Sequence, residues 1–155
     1  MIKTIEYNGG VVRMIDQTKL PLEEIYVDCR TIEDVGLAIK RMIIRGAPAI
    51  GVAAAMGVSL GAESIQAEDF ESFYSQLEEM SGELALARPT AVNLAWAIER
   101  MKKNARENRH LGIRELKEKL KREALNICKE DVAANRAMGG HGQTLINDGD
   151  TILTH

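Results

Sequence analysis

The segment from Arg45 to Gly51 reads RGAPAIG and joins a fixed positive charge to the predicted start of a long uncharged helix. Pro48 suits the first turn of a helix, where its missing N–H costs nothing, and Gly46 allows close approach of the backbone to a ligand. The free N–H groups of that turn, the helix dipole and the guanidinium of Arg45 can converge on one phosphate. Glycine and alanine also permit tight helix packing, so the motif alone leaves both interpretations open.

A second arginine, Arg88, precedes a similar break in the chain. Pro89 is predicted to lie in the first turn of the next helix, which gives Arg88 the same placement as Arg45. Two arginines at two helix N-termini can hold one phosphate from two sides. The alternative for Arg88 is a cap on the preceding helix or a surface ion pair. The candidate substrate-binding residues are therefore Arg45, Gly46, Ala47 and Arg88.

Short strands are predicted in the first thirty residues. They are Thr4–Tyr7, Val11–Ile15 and Ile25–Cys29. The Asn-Gly pair at residues 8 and 9 is a strong hairpin signal between the first two. We expect a three-stranded antiparallel meander. Cys29 shares the apolar face of the third strand, so we interpret it as a small core residue in preference to a catalytic thiol.

Two helices should follow the strands. Thr31 and Asp34 form a near variant of the capping box, and apolar residues then recur at helical spacing until about Ile44. The uncharged run that begins near Pro48 predicts a second helix, buried on most of its sides.

The second half of the sequence predicts further helices. An amphipathic helix is expected from about Glu68 to Leu86, and a long helix from Gly112 whose apolar pattern weakens near Met138. The glycines at 139, 140 and 142 are expected to end or kink that helix, since no preceding strand or Lys-Ser pair makes them a phosphate loop. Residues 147–150 predict a turn and Thr151–Thr154 a strand.

Four side chains of these helices have open roles. Trp96 is interpreted as a core residue, because a lone tryptophan among Leu and Ile is usually buried. Asn93 needs hydrogen-bond partners if it is buried. Asp131 falls on an apolar stripe and would need Arg136 or a ligand as its partner. His141 is either a satisfied polar residue or part of a pocket.

Composition sets the class of protein. The chain has 155 residues, of which 45% are hydrophobic, and this is enough to bury one core. A formal net charge of −3 gives no long-range attraction for nucleic acid or an anionic membrane, so neither is predicted as a partner. Cys29 and Cys128 form neither a metal spacing nor a disulfide framework. We therefore expect a cytoplasmic protein without a metal.

Three segments, in the same order, resemble the methylthioribose-1-phosphate isomerases. They read RGAPAIGVAAAMG (45–57), RPTAVNLAWAIERM (88–101) and GDTILTH (149–155). These aldose–ketose isomerases of methionine salvage are related to the alpha, beta and delta regulatory subunits of translation initiation factor 2B and to ribose-1,5-bisphosphate isomerases. The unbroken RGAPAIG run favours the isomerase branch. The resemblance covers nearly all of this chain but only the N-terminal part of the family.

The pattern and the resemblance together predict an α+β N-terminal domain over residues 1–147, with the meander in 1–30 and helices in 31–147. Residues 148–155 would start a Rossmann-like C-terminal α/β domain that is truncated in this sequence. The resemblance implies a sugar-phosphate substrate, no cofactor, and a homodimer when full length.

The resemblance places the family's catalytic cysteine just after His155 and a catalytic aspartate further on. We therefore expect no catalytic residue within the chain, and no turnover by the chain alone. A non-catalytic regulatory subunit and a ribose-1,5-bisphosphate isomerase are the competing expectations.

Overall fold

The computed structural model describes residues 3–153. Its strands and helices are β1 (Ile5–Asn8), β2 (Val11–Ile15), β3 (Tyr26–Cys29), α1 (Ile32–Lys40), α2 (Ala47–Ser64), α3 (Phe70–Ala85), α4 (Val92–Glu107), α5 (Ile113–Gly142) and a short 3-10 helix (Gln143–Leu145). The predicted combination of a small sheet with helices is confirmed.

The three strands form an antiparallel meander in the order β1-β2-β3, as predicted. Val12 is the central residue of the inner face, opposite Tyr7 of β1 and Cys29 of β3. Val12 and Cys29 are buried, so one face of the sheet covers the helices. On the outer face, Arg13 and Asp28 form a bidentate ion pair between neighbouring strands.

Helix α1 begins with the predicted capping box. The Thr31 hydroxyl accepts from the backbone N–H of Asp34, and the Asp34 carboxylate accepts from the backbone N–H of Thr31. The reciprocal bonds satisfy N–H groups that a helix start would leave free.

The prediction that α1 continues to about Ile44 is wrong, because the helix ends at Lys40. Met42 takes a φ of 61°, and its N–H bonds to the carbonyl of Ile39 while the N–H of Ile43 bonds to that of Ala38. These two bonds define a Schellman motif, which usually places glycine at the left-handed residue. Because methionine occupies that position, no glycine signalled the helix end in the sequence.

Helix α2 lies at the centre of the domain. All residues from Ile50 to Ala62 are buried, which confirms the predicted burial on most sides. Small residues allow this close packing: a Cβ on Gly57 would come within 3.0 Å of the side chain of Val35 on α1. The other helices and the sheet pack around α2.

Helix α4 begins later than predicted. Pro89 was expected in its first turn, but the helix starts at Val92 with Ala91 as its N-cap. The N–H of Ala91 bonds to the carbonyl of Arg88, so Pro89 occupies the second position of a turn before the helix. Proline suits that position as well as it suits a helix start, because both require the same φ.

Helix α5 extends over 30 residues, and its apolar stripe is buried only as far as Ile127. The glycines at 139 and 140 neither end nor interrupt it, since the helix continues to Gly142. From Val132 to Leu153 every residue is exposed except Gly142, which is half-buried.

The described residues after α5 contain the predicted turn, and the predicted strand Thr151–Thr154 lies partly outside them. Asp150 donates its N–H to the carbonyl of Asn147, and Gly149 takes a φ of 92°. Residues 151–153 are not in a strand, because the only sheet within residues 3–153 is the meander and it does not pair with them. Thr154 lies outside the described residues. No helix within residues 3–153 is long and apolar enough to cross a membrane.

Candidate anion-binding site

The loop between α1 and α2 presents Arg45 on the surface. Ile44 is fully buried in the core, whereas Arg45 and Gly46 are exposed. Gly46 takes a φ of 89°, a backbone conformation that glycine adopts without strain. The loop thus anchors one side chain inside the domain and directs the next residues outward.

The first turn of α2 has free backbone donors. Gly46 is the N-cap without a side-chain cap, Pro48 lies in the first turn, and no acidic residue is present there. Among the described residues, no cap or loop hydrogen bond is donated by the N–H of Gly46, Ala47 or Ala49. These groups, at the positive end of an 18-residue helix, can donate hydrogen bonds to an anion.

Helix α4 starts in a similar way. Ala91 provides no side-chain cap, and the first turn again contains no acidic residue. Arg88 is half-buried and precedes this start by four residues. By contrast, α1 and α3 are both capped by acidic or hydroxyl side chains, Asp69 serving α3.

The first turn of α4 packs against the second turn of α2. A Cβ on Gly51 would be only 3.1 Å from the backbone oxygen of Asn93, the second residue of α4. Arg45 lies six residues before Gly51, and Arg88 lies five residues before Asn93. The two helix starts are thus brought together, while convergence of the two guanidiniums on one point remains a prediction.

Arg45 and Arg88 are both without a neutralising carboxylate among the described residues. In the part of the chain that the structure describes, no carboxylate forms an ion pair with Arg45 or Arg88. The surface ion pair considered for Arg88 is therefore not formed within residues 3–153. Two cations and two helix N-termini without compensating acids are suited to binding an anion such as a phosphate monoester.

Sequence reasoning missed Gln17, which contacts the Arg45 loop directly. Its side-chain amide donates to the carbonyl of Arg45 at 3.3 Å, and its backbone N–H donates to the carbonyl of Ile43 at 2.9 Å. A glutamine after a strand has no distinctive pattern in a sequence. The signal is visible only when the turn after β2 packs against the loop before α2.

Of the four residues with open roles, Asn93 is half-buried at the contact with Gly51, and the other three are not part of that contact. Trp96 is 49% exposed, so its predicted core position is wrong. The half-buried Asp131 accepts from Asn135, one turn later, and not from Arg136. His141 is exposed on the last turn of α5.

A cavity of about 520 Å³ opens between β1, α2 and α5. Ala49 and Val52 of α2 line it together with Cys128 and Asp131 of α5, but neither Arg45 nor Arg88 does. Within residues 3–153, no group of three or more His, Cys, Asp or Glu side chains is placed to hold a metal ion.

The family model described as "Initiation factor 2 subunit family" matches residues 43–155. This match covers more than half of the sequence and includes both candidate arginines and the long helix. The chain belongs to that family.

Within the family, the chain is similar to methylthioribose-1-phosphate isomerases. It is 54% identical to the one from Geobacter sulfurreducens over 99% of this chain and 44% of that protein. It is 49% identical to the one from Thermosipho melanesiensis over 98% of this chain and 43% of that protein. The chain thus spans less than half the length of the curated relatives it matches.

Solved structures of two kinds of protein are similar to this chain. The 5-methylthioribose 1-phosphate isomerase from Pyrococcus horikoshii superposes with a TM-score of 0.91 and 41% identity over 96% of this chain and 42% of that one. The delta subunit of translation initiation factor eIF-2B from A. fulgidus superposes with a TM-score of 0.87 and 39% identity, covering 97% and 43%. One fold therefore occurs in proteins named as an isomerase and as a translation factor subunit.

Proposed function

We propose that this chain is the N-terminal, substrate-binding portion of an aldose–ketose isomerase that converts 5-methylthioribose 1-phosphate to 5-methylthioribulose 1-phosphate in methionine salvage. The observation that carries the proposal is the identity of 48% to 54% with curated proteins named for this activity. The paired helix starts beside Arg45 and Arg88 add a physical reason, because they suit a sugar phosphate.

In this proposal Arg45, Gly46, Ala47 and Arg88 hold the phosphate. The ester at C1 blocks a free aldehyde, so the furanose ring must open by acid catalysis while the phosphate is retained. Hydrogen then moves from C2 to C1, which requires an acid and a base positioned in a site that excludes water. A phosphate fixed at two helix starts holds C1 and C2 in place for those groups.

The acid and base belong to the remainder of the protein in this proposal. We propose residues 1–147 as the N-terminal domain and 148–155 as the start of a C-terminal α/β domain that supplies the cysteine and the aspartate. Exposed apolar side chains of α5 and the following chain support such a partner. The homodimer, the lack of a nucleic-acid partner and the cytoplasmic location remain predictions.

A second candidate is a non-catalytic regulatory subunit related to initiation factor 2B. The similarity to the A. fulgidus delta subunit favours it. A third assigns ribose 1,5-bisphosphate as the substrate of the same site. The proposals differ in ligand: a regulatory subunit has no need to bind a pentose 1-phosphate at the start of α2.

The test is a calorimetric titration of the chain with 5-methylthioribose 1-phosphate, and with ribose 1,5-bisphosphate for comparison. Arg45→Ala and Arg88→Ala should each weaken binding roughly tenfold to a hundredfold, the usual effect of losing a charge-assisted hydrogen bond. Arg122→Ala, which alters an exposed arginine of α5, is the matched control and should bind normally. Unchanged binding in both site variants would contradict the shared phosphate site.

A further inference from the structure

Gln17 holds the loop that carries Arg45 at two points. Its backbone N–H donates to the carbonyl of Ile43 and its side-chain amide to the carbonyl of Arg45, so the bonds lie on either side of Ile44. Ile44 is itself fully buried. The three residues before Gly46 are therefore fixed by one side chain in the core and by one glutamine from the turn after β2.

Gln17 is in turn fixed by its neighbours. The buried carboxylate of Asp16 accepts from both the N–H and the hydroxyl of Thr18, and the N–H of Asp16 donates to the carbonyl of Ile25. These bonds hold the turn after β2 at both sides of Gln17. A donor held in this way can position the group to which it bonds.

The loop needs such support because its backbone changes direction twice. Met42 and Gly46 both have positive φ, at 61° and 89°. A rotation anywhere between these two residues would turn the Arg45 side chain and the first N–H groups of α2 together. Each would then move away from a shared anion, and small displacements of a binding group weaken binding strongly.

We propose that Gln17 is a positioning residue for the anion site, which orients Arg45 and the N-terminal N–H groups of α2 by its hydrogen bond to the Arg45 carbonyl. The role rests on the proposed phosphate site and extends it to a residue that does not touch the ligand. Gln17 acts through the backbone of its neighbour.

The experiment compares Gln17→Met with Gln76→Met by NMR titration with inorganic phosphate, against chloride at the same ionic strength. Methionine keeps the length of the side chain and removes its N–H donor. Gln76 is the matched control, because its amide also donates to a backbone carbonyl, that of Ser72 on α3. The amides of Gly46 and Ala47 report binding, and hydrogen exchange of residues 42–47 reports local order.

Gln17→Met should weaken phosphate binding about fivefold, the factor expected for the loss of one ordinary hydrogen bond. Hydrogen exchange should accelerate at residues 42–47 only, and the urea midpoint of unfolding should match that of Gln76→Met. A merely structural role would instead change hydrogen exchange throughout the domain. Equal phosphate affinity in the two variants would overturn the role of Gln17 alone. No saturable binding by the unaltered chain would overturn the phosphate site itself, and the role with it.

Discussion

Cys29 and Cys128 differ from ordinary reactive thiols through burial. Cys29 is almost fully buried on the inner face of the sheet. This burial, with smaller contributions from Asp34 and Asp28, raises its pKa to about 11. Burial also raises the pKa of the half-buried Cys128, and Asp131 adds to the effect. Neither thiol is stabilised as a thiolate, so the interpretation of Cys29 as a core residue is confirmed.

The raised pKa predicts a loss of stability at alkaline pH. Below the unfolded-state pKa of about 8.5, both states bind the proton and stability is unaffected. As the pH rises towards 11, the unfolded state releases the proton first, so folding becomes less favourable. Urea unfolding from pH 8 to 11 should show this decline, with a shallower slope in Cys29→Ala. Identical slopes would show that Cys29 does not contribute.

Trp96 shows how a single side chain departs from its expected position. The guanidinium of Arg100 lies 5.5 Å from the Trp96 ring, one turn along the exposed side of α4. Arg100 also bonds to Glu123 and Glu130 of α5, at 2.6 Å and 2.5 Å. The tryptophan therefore covers an ion-pair cluster between helices, which the apolar neighbours in the sequence do not indicate.

At the scale of elements, the contact between α2 and α4 depends on Gly51. A glycine within a helix usually destabilises it relative to alanine. At Gly51 alanine would not have this advantage, because its Cβ would lie 3.1 Å from the backbone oxygen of Asn93. That oxygen cannot move unless α4 moves as a whole. The same contact holds the two candidate phosphate-binding helix starts together.

Alanine at two glycines should therefore have opposite effects. Gly82→Ala, where the new Cβ would meet no atom within 4 Å apart from its chain neighbours and the backbone of its own helix, should stabilise the protein by about 0.5–1 kcal/mol. Gly51→Ala should destabilise it by about 1 kcal/mol or more, because the close contact outweighs the gain in helix propensity. Urea unfolding of both variants measures the difference. Stabilisation by Gly51→Ala would mean that α2 and α4 can separate without cost.

The elements with local signals were predicted from the sequence. Alternation and an Asn-Gly turn placed the meander to within one residue at every strand end, and the capping box placed the start of α1. The end of α1 and the start of α4 were not predicted correctly. Met42 takes a left-handed conformation that is usual for glycine. Pro89 lies in a turn, whereas the sequence pattern indicated the first turn of a helix.

The placement of the candidate residues was predicted in part for the same reason. Arg45 and Gly46 form a contiguous motif, and the structure places them at the start of α2 as its pattern indicated, while their role in binding stays a prediction. Gln17 is separated from Arg45 by 28 positions, and its hydrogen bond follows from tertiary packing. The approach of the α4 start to Gly51 is likewise a tertiary contact.

At the scale of the whole molecule, the last third of α5 and the chain after it are unlike the rest. Exposed apolar side chains recur along this segment, which we call the C-terminal apolar segment. They are Val132, Met138, Leu145, Ile146, Ile152 and Leu153. Soluble domains rarely expose such a series unless another surface covers it. The curated relatives are more than twice as long as this chain, which makes their remaining portion the expected cover.

The C-terminal apolar segment should be the least stable part of the isolated chain. Its backbone hydrogen bonds are open to solvent, and the glycines at 139, 140 and 142 lower the helix propensity of its first half. Hydrogen exchange should be fast from about residue 132 in a dilute monomer, while Ile50–Ala62 of α2 stays protected as the internal control. Adding a separately produced C-terminal domain from one of the relatives should slow exchange in the segment. Strong protection of the monomer without that domain would contradict the two-domain proposal and favour a stand-alone regulatory protein.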